Sequence, residues 1–219
     1  MQITGAVLTK SYDELLNKIE RLSSVCDRIQ IDLSDGRVGK ELSWLPYGYE
    51  ILPHTDHIEY EFHFMIQDWR SVLDKVLLLN PGRIVLHIDT FTLTDCRELA
   101  ERFSSLQLPL GLSSSNELGL EDFKQKINTV KEYYENIYLQ VMGIENVGEQ
   151  GQVFDEKCLD RIKELKKTYG EIFLQVDGAM HPGNIEKVLR AGADGIVVGS
   201  YLLRNDDIGE AMRTLASIE

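Results

Sequence analysis

A pattern that occurs twice near the end of the chain constrains the fold more than any other feature. Between residues 171 and 203, a short apolar strand leads through a glycine turn into a helix, and the same three parts then follow again. The first turn lies at Asp177 and Gly178, and the second at Gly199 and Ser200. Strands that are joined through a helix pair in parallel, so this run predicts a βαβ unit of a parallel sheet.

The rest of the chain continues this alternation. Apolar runs typical of strands are each followed by a helical pattern with apolar residues every three or four positions. Eight such units in 219 residues, with no linker or change of composition between them, predict a (β/α)8 barrel formed by one domain, residues 1–219. A doubly wound open sheet is the alternative, but near-equal units leave no obvious edge strand. The looser segment with Trp44, Pro46 and Gly48 predicts a loop with a short helix.

The charge balance limits the partners of the chain. Its net charge of −13 provides no basic field for nucleic acid or an anionic membrane, so we expect neither as a partner. No apolar run approaches membrane-spanning length, and the first ten residues lack the pattern of a signal peptide. Cys26, Cys96 and Cys158 are far apart and in no metal-binding spacing, which predicts reduced thiols and a cytoplasmic location. The sequence leaves a homo-oligomer open.

The two glycine turns predict an anion site. Each leaves unpaired backbone N–H groups at the start of a helix, where the helix dipole also favours negative charge. Two such turns side by side suit a phosphate, and a local nest of N–H groups can bind a small phosphorylated molecule even on an acidic protein. The alternative is that the glycines only close tight turns while Asp177 caps a helix. The pairing of the turns favours the phosphate site.

Several strands end in chemically active side chains. In a barrel, the carboxyl ends of the strands converge, so Asp32, His63 and Asp177 can face one another, with Gln30 on the same face as Asp32. Two carboxylates and an imidazole are ligand types for a divalent metal. Opposed carboxylates can also move a proton from one face of a carbon to the other, while a metal stabilises the intermediate enediolate. The alternative for His63 alone is a hydrogen-bonded core histidine.

Two other acids near strand ends have different predicted roles. Glu61 shares a strand face with His63, and the interior of a barrel must supply a partner for its carboxyl group. Asp35 directly precedes Gly36, which favours a role as a turn residue.

The order of these motifs resembles the ribulose-phosphate 3-epimerase family over nearly the whole chain. The family's His-x-Asp-x-Met-Asp-Gly pattern corresponds to residues 30–36, and its Asp-x-His-Leu-Met pattern to residues 61–65. Its strand-four histidine falls on His87. The Gly-Gly-Gln-x-Phe pattern after strand six begins here at Gln150 and ends at Phe154. The Val-Asp-Gly-Gly, Ala-Gly-Ala-Asp and Gly-Ser patterns correspond to residues 176–179, 191–194 and 199–200.

The resemblance implies a barrel enzyme that moves a proton at C3 of a phosphorylated ketose. The substrate would be ribulose 5-phosphate, giving xylulose 5-phosphate, or a relative such as allulose 6-phosphate. Asp32 and Asp177 would be acid and base on opposite faces of the sugar. A divalent metal (Zn, Mn, Fe or Mg) would be held by Asp32, His63 and Asp177, with Gln30 at a fourth ligand position. The phosphate would be held by backbone N–H groups of Gly178, Ala179, Gly199 and Ser200.

The chain also departs from the family pattern. Gln30 replaces the first metal-binding histidine, and a neutral amide oxygen is a weaker zinc ligand, so the site could favour a harder ion or lack a metal. Ala6 replaces a serine that contacts the substrate, while Ser34 and Leu139 stand where the family has methionines beside the reacting carbons. These departures leave a non-catalytic or divergent sugar-phosphate-binding barrel as the alternative. The related decarboxylases are disfavoured, because His63 stands where their lysine is needed.

Overall fold

Eight parallel strands close into a barrel in sequence order in the computed structural model, which describes residues 1–149 and 151–218. The strands are β1 (Gln2–Val7), β2 (Arg28–Ser34), β3 (Glu59–Met65), β4 (Arg83–His87), β5 (Leu110–Ser114), β6 (Ile137–Met142), β7 (Leu174–Asp177) and β8 (Gly195–Val198). Because β8 pairs with β1, the sheet has no open edge. The predicted (β/α)8 TIM barrel is therefore confirmed, and the open sheet is excluded.

Among the described residues, helices follow every strand except β2 and cover the outside of the barrel. They are α1 (Tyr12–Ser23), α2 (Arg70–Leu77), α3 (Leu93–Leu106), α4 (Leu120–Lys131), α5 (Lys157–Tyr169), α6 (Pro182–Ala191), α7 (Ser200–Arg204) and α8 (Ile208–Ala216). The helix α1 begins where the Ser11 hydroxyl accepts the N–H of Glu14 at 3.3 Å, as a capping residue does. None of the helices in the described ranges is long and apolar enough to cross a membrane.

The long connection between β2 and β3 contains no helix, so the short helix predicted around Trp44 to Gly48 is wrong. The carboxylate of Glu50 accepts the backbone N–H groups of Tyr47, Gly48 and Tyr49 at 2.9 to 3.1 Å. These bonds stabilise a turn in which the N–H groups point to one side chain instead of to helical carbonyl groups.

The strands separate an apolar layer from a polar one. On β2, Ile29, Ile31 and Leu33 are fully buried against the helices, and each such side chain contributes about 1.5–3 kcal/mol by leaving water. The alternating residues point into the barrel, where Gln30 is completely buried. Similar polar side chains line the interior on β3, β6 and β7. Because buried polar groups need hydrogen-bond partners, this interior layer determines how the site is arranged.

Candidate active site

Three strands bring Asp32, His63 and Asp177 together at the carboxyl end of the barrel. Asp32 pairs with His63 in the β2–β3 register, and Asp177 is the last residue of β7. The Nδ1 atom of His63 lies 3.0 Å from Asp32 Oδ1 and 3.3 Å from Asp177 Oδ2. The structure thus places these three side chains as the sequence predicted.

Each of the two carboxylates has one oxygen held by nitrogen donors. The Nε2 group of Gln30 donates to Asp32 Oδ1 at 2.9 Å and to Asp177 Oδ2 at 2.8 Å, while Gln140 Nε2 donates to Asp177 Oδ2 at 3.2 Å. Within residues 1–149 and 151–218, no hydrogen bond reaches Asp32 Oδ2 or Asp177 Oδ1. Both acids line one pocket, so each keeps one oxygen available to a molecule bound there.

The electrostatics of the cluster follow from its burial and its close charges. Burial raises the pKa of Asp32 and the charge of Asp177 adds to this, although the hydrogen bond with His63 acts in the opposite direction. Burial alone would lower the pKa of His63, but hydrogen bonds to Asp177 and Asp32 outweigh it and raise this pKa to about 9. A protonated imidazole between the two acids offsets part of their mutual repulsion.

The donor set fits a divalent metal. The ligand atoms of Asp32, His63 and Asp177 all lie within 4.8 Å of one another, and two carboxylates with one imidazole suit several divalent cations. The Oε1 atom of Gln30 is buried without a hydrogen-bond partner among the described residues, so it is a spare oxygen beside the cluster. The amide nitrogen of Gln30 is the atom that faces the two acids. Gln30 can therefore become a ligand only by turning its amide.

The four residues expected to hold a phosphate line the same pocket: Gly178, Ala179, Gly199 and Ser200. Gly178 and Ala179 adopt left-handed backbone conformations with φ of +104° and +55°. Across the described residues, no backbone hydrogen bond is donated by the N–H groups of Gly178, Ala179 or Gly199. Ser200 is the first residue of α7, where an N–H group has no acceptor within the helix.

The start of α6 differs from the expectation that its N–H groups are free. This helix begins at Pro182, which has no N–H, and the His181 ring accepts the N–H of Gly183 at 3.1 Å. The protein itself therefore caps the helix, and the N–H groups available to an anion lie earlier, in the turn at Gly178 and Ala179. His181 was not identified from the sequence, although a polar side chain directly before Pro and Gly is a recognisable cap signal.

One wall of the pocket is apolar. Met65 and Met142 form a small cluster with Ile144 and Val147 that is separate from the main core. Leu139 packs instead in the core between the strands and the helices, so the interpretation of Leu139 as the strand-six residue beside the reacting carbons is wrong. Residues on a strand alternate in direction, and Gln140 and Met142 face the interior, which leaves Leu139 facing outward.

The other departures from the family pattern occupy different places. Ala6 lines the pocket, as expected, whereas Ser34 is buried outside it, with its hydroxyl 3.4 Å from the N–H of Gly36. Asp35 holds a turn, since its carboxylate accepts the N–H groups of Arg37 and Gln67, each at 2.9 Å, and this prediction is confirmed. Gln150, the first residue of the predicted loop motif, lies outside the described residues.

Two further polar groups adjoin the cluster. Glu61 finds the partners that its burial requires, because Tyr138 Oη and Gln175 Nε2 donate to its two oxygens at 2.7 and 2.8 Å. The ring of His87 stacks on that of His63 with centroids 4.9 Å apart, and its Nδ1 lies 3.3 Å from Asp89 Oδ2. The sequence did not identify Gln140 and Gln175, although polar residues on the inward side of apolar strands are a usable signal.

Residues 2–203 match the model of the ribulose-phosphate 3 epimerase family. The chain belongs to this family. The ribulose-phosphate 3-epimerase of Helicobacter pylori (strain ATCC 700392 / 26695) is 26% identical over 223 residues, which cover 100% of this chain and 98% of the relative. That of Aquifex aeolicus (strain VF5) is 28% identical over 204 residues, covering 88% and 84%.

A solved structure shows the same fold at much lower identity. The 3-keto-L-gulonate-6-phosphate decarboxylase from Vibrio cholerae superimposes with a TM-score of 0.69 at 12% identity, covering 98% of this chain and 95% of that one. Membership in the epimerase family makes the chain an epimerase-like enzyme of the isomerase class, with a sugar-phosphate epimerase or related function.

Proposed function

We propose that this protein inverts C3 of a phosphorylated ketose, converting ribulose 5-phosphate into xylulose 5-phosphate or acting on a related ketose phosphate such as allulose 6-phosphate. The observation that carries the proposal is the pair of free carboxylate oxygens, one on Asp32 and one on Asp177, in a single pocket. A proton next to a ketone is acidic enough for a carboxylate to remove when the resulting enediolate is stabilised.

The two acids share the proton transfer. In one direction, Asp177 removes the C3 proton through Oδ1, the C–H electron pair forms the enediolate with C2, and protonated Asp32 delivers a proton to the other face of C3. The reverse direction exchanges the two roles. Burial favours the protonated form of Asp32, and the donors on Asp177 Oδ2 leave its other oxygen as the base.

The rest of the pocket orients the sugar. The free N–H groups of Gly178, Ala179, Gly199 and Ser200 are suited to a phosphate, whose charge they bind through the backbone without a basic side chain. Met65 and Met142 supply an apolar surface that keeps water from the reacting carbons. Together these groups would fix C3 between the two acids.

A divalent metal belongs to the same proposal. Asp32, His63 and Asp177 would hold it, joined by the Gln30 oxygen after its amide turns, and the ion would supply positive charge that stabilises the enediolate oxygens. An amide ligand in place of a histidine favours a harder ion such as Mn²⁺ or Mg²⁺ over Zn²⁺. A cytoplasmic location completes the proposal, since the substrate is a small phosphorylated metabolite, and a homo-oligomer stays open.

One observation favours a second candidate, a sugar-phosphate-binding barrel without catalysis. The Gln30 amide nitrogen bridges the two acids, so they have a neutral partner even without a metal. Ala6 in the pocket wall also removes a polar contact that the family provides. In this case a ketose phosphate would bind, but its C3 proton would stay in place.

Proton NMR in heavy water distinguishes the two candidates. Purified protein, loaded with Mn²⁺ or Mg²⁺ and then freed of excess ion, is incubated with ribulose 5-phosphate, allulose 6-phosphate and other ketose phosphates in turn. We expect the C3 proton signal of one of them to disappear as the epimer forms. Saturation transfer to a sugar phosphate without loss of C3–H would support the binding protein instead, and the absence of both effects with every ketose phosphate would contradict both candidates.

A further inference from the structure

A buried chain of three side chains connects the middle of the barrel to Asp177. We refer to Glu61, Gln175 and Gln140 as the amide relay. The Nε2 group of Gln175 donates to Glu61 Oε1 at 2.8 Å and to Gln140 Oε1 at 2.6 Å. The Nε2 group of Gln140 then donates to Asp177 Oδ2 at 3.2 Å and lies 3.3 Å from His63 Nε2. All three members are almost completely inaccessible to solvent.

The relay takes its direction from the ionised form of Glu61, which only accepts hydrogen bonds. Burial raises the pKa of Glu61, while the donors Tyr138 and Gln175 and the charge of Arg83 oppose this and favour the ionised form. The Glu61 carboxylate accepts from Tyr138 Oη at 2.7 Å and lies 3.9 Å from Arg83 Nε, so its second oxygen requires a donor from Gln175. This fixes the amide of Gln175 with its N–H groups toward Glu61 and Gln140. Gln140 must then present its oxygen to Gln175 and its nitrogen to Asp177.

The opposite orientation of Gln140 would break two hydrogen bonds, to Asp177 and from Gln175, in exchange for one contact of its oxygen with the His63 ring. A turned amide would bring its oxygen against the carboxylate of Asp177, and its NH₂ group against that of Gln175. Each contact would join two acceptors or two donors inside the barrel, where unpaired polar groups are costly. The Gln140 donor to Asp177 Oδ2, which adds to the one from Gln30, therefore depends on Glu61 through Gln175.

We propose that Gln140 is a positioning residue for Asp177 and that Glu61 and Gln175 act on the reaction only by fixing the orientation of the Gln140 amide. With Oδ2 held by Gln140 and Gln30, the free Oδ1 of Asp177 keeps a single direction toward the pocket. The proposal assigns a function to three interior residues outside the metal-ligand and phosphate sets. It rests on the proposed function, because it specifies how the base of that reaction is held.

The test combines kinetics with a measurement that needs no substrate. Gln175→Met removes both N–H donors but keeps the length of the side chain, and Gln140→Met removes the contact with Asp177 itself. We expect each variant to lower kcat for C3 inversion about tenfold with KM within twofold, because binding groups are untouched. The double variant should be no slower than Gln140→Met alone, because Gln175 acts through Gln140.

Tyr138→Phe is the matched control. It removes a donor from the same carboxylate, yet leaves the bonds from Gln175 to Glu61 and Gln140 in place. We expect a lower midpoint of thermal unfolding for this variant, with kcat within twofold of the wild type. A purely structural role for the interior network would instead make the kcat of Tyr138→Phe and Gln175→Met change together, and would overturn the proposal.

The orientation of the amide is measured directly in protein with ¹⁵N-labelled glutamine and no substrate. The side-chain NH₂ of Gln140, assigned through its loss in Gln140→Met, should show a nuclear Overhauser effect to the His63 ring. This effect should disappear in folded Gln175→Met and persist in Tyr138→Phe. An unchanged effect in Gln175→Met would contradict the relay. If the wild type inverts no ketose phosphate, the proposed function fails while this measurement still decides whether Gln175 orients Gln140.

Discussion

Two neighbouring carboxylate–imidazole pairs lie at the mouth of the barrel, and they differ in what remains free. Asp32 and His63 line the pocket, and Asp32 keeps one oxygen without a hydrogen bond in the described structure. Asp89 has both oxygens occupied, one by the N–H and hydroxyl of Ser115 and the other by His87 Nδ1. Both pairs thus place an acid beside a histidine. Of the two, only the pair of Asp32 and His63 offers a carboxylate oxygen to a substrate.

The two histidines also differ in charge, although both are buried. Burial lowers the pKa of His87, the nearby charge of His63 lowers it further, and the hydrogen bond with Asp89 offsets only part of this. His63 contacts two carboxylates, and together they raise its pKa to about 9 despite its burial. The second acid, Asp177, thus distinguishes the proposed catalytic cluster from the pair of Asp89 and His87.

The largest expected effect separates the acids of the two pairs. Asp32→Asn and Asp177→Asn should each reduce C3 inversion about 10³-fold, because an amide can neither take nor deliver the proton. Asp89→Asn should stay within about threefold of the wild-type rate, since Asp89 does not line the pocket. The rates follow from NMR of the two epimers. Equal losses in Asp32→Asn and Asp89→Asn would remove the distinction between the pairs.

Substitutions of His63 and His87 should differ in their effect on metal affinity. His63→Gln is expected to weaken binding of Mn²⁺ about 100-fold, because it replaces an imidazole of the donor set with an amide. His87→Gln keeps all three donors and should remain within about threefold. Isothermal titration with Mn²⁺ on each variant gives the comparison. If His87→Gln lost as much affinity as His63→Gln, the metal would lie elsewhere than in the Asp–His–Asp cluster.

The pair of Asp89 and His87 should affect how the free energy of unfolding depends on pH. Burial alone would raise the pKa of Asp89, but hydrogen bonds from His87 and Ser115 outweigh it and lower this pKa from 3.8 to about 2. A lowered folded-state pKa stabilises the fold above pH 3.8, and this contribution disappears as the pH falls through 2. Asp89→Asn should therefore cost about 2 kcal/mol of unfolding free energy at pH 7 and less near pH 3.

Urea unfolding of wild type and Asp89→Asn at the two pH values measures this difference. The control is Asp74→Asn on α2, whose acid makes an exposed ion pair with Arg102 and should change stability by less than about 1 kcal/mol. A loss in Asp89→Asn that grew as the pH fell would contradict the assignment of Asp89 as an ionised structural acid.

The smallest expected effect concerns the departure at Gln30. Gln30→His would add an imidazole beside Asp32 and His63. This change should raise Zn²⁺ affinity about tenfold, since imidazole is the better zinc ligand. Gln125→His, on the exposed face of α4, adds the same group away from the cluster and should leave the affinity unchanged. No gain with Gln30→His would mean that Gln30 does not occupy a ligand position.

The fold was predictable because its signals are local. Each strand and helix has its own periodicity, and eight alternating units leave few ways to close a parallel sheet. The convergence of Asp32, His63 and Asp177 followed from the same rule, since each residue lies toward the carboxyl end of its strand. The sequence could not show which side chains of each strand point into the barrel. Leu139 and Met142 were confused because the inward side of β6 depends on register.

The hydrogen bonds of the interior were beyond prediction for the same reason. Gln140 and Gln175 pair in the β6–β7 register, and only the closed barrel brings both near Glu61 on β3. The orientation of the Gln30 amide, with its nitrogen toward both acids, likewise depends on groups from two other strands. Such details decide which oxygens are free, and so they matter more for the chemistry than the list of residues does.

The central claim is that Asp32 and Asp177 serve opposite faces of C3, and exchange with heavy water in the single variants tests it most directly. Ribulose 5-phosphate and xylulose 5-phosphate are incubated separately with Asp32→Asn and with Asp177→Asn, and loss of the C3 proton is followed by NMR. We predict that one variant exchanges the proton of only one epimer, the other variant that of only the other epimer, and that neither inverts C3. Inversion at the wild-type rate by either variant, or exchange from the same epimer by both, would contradict the claim.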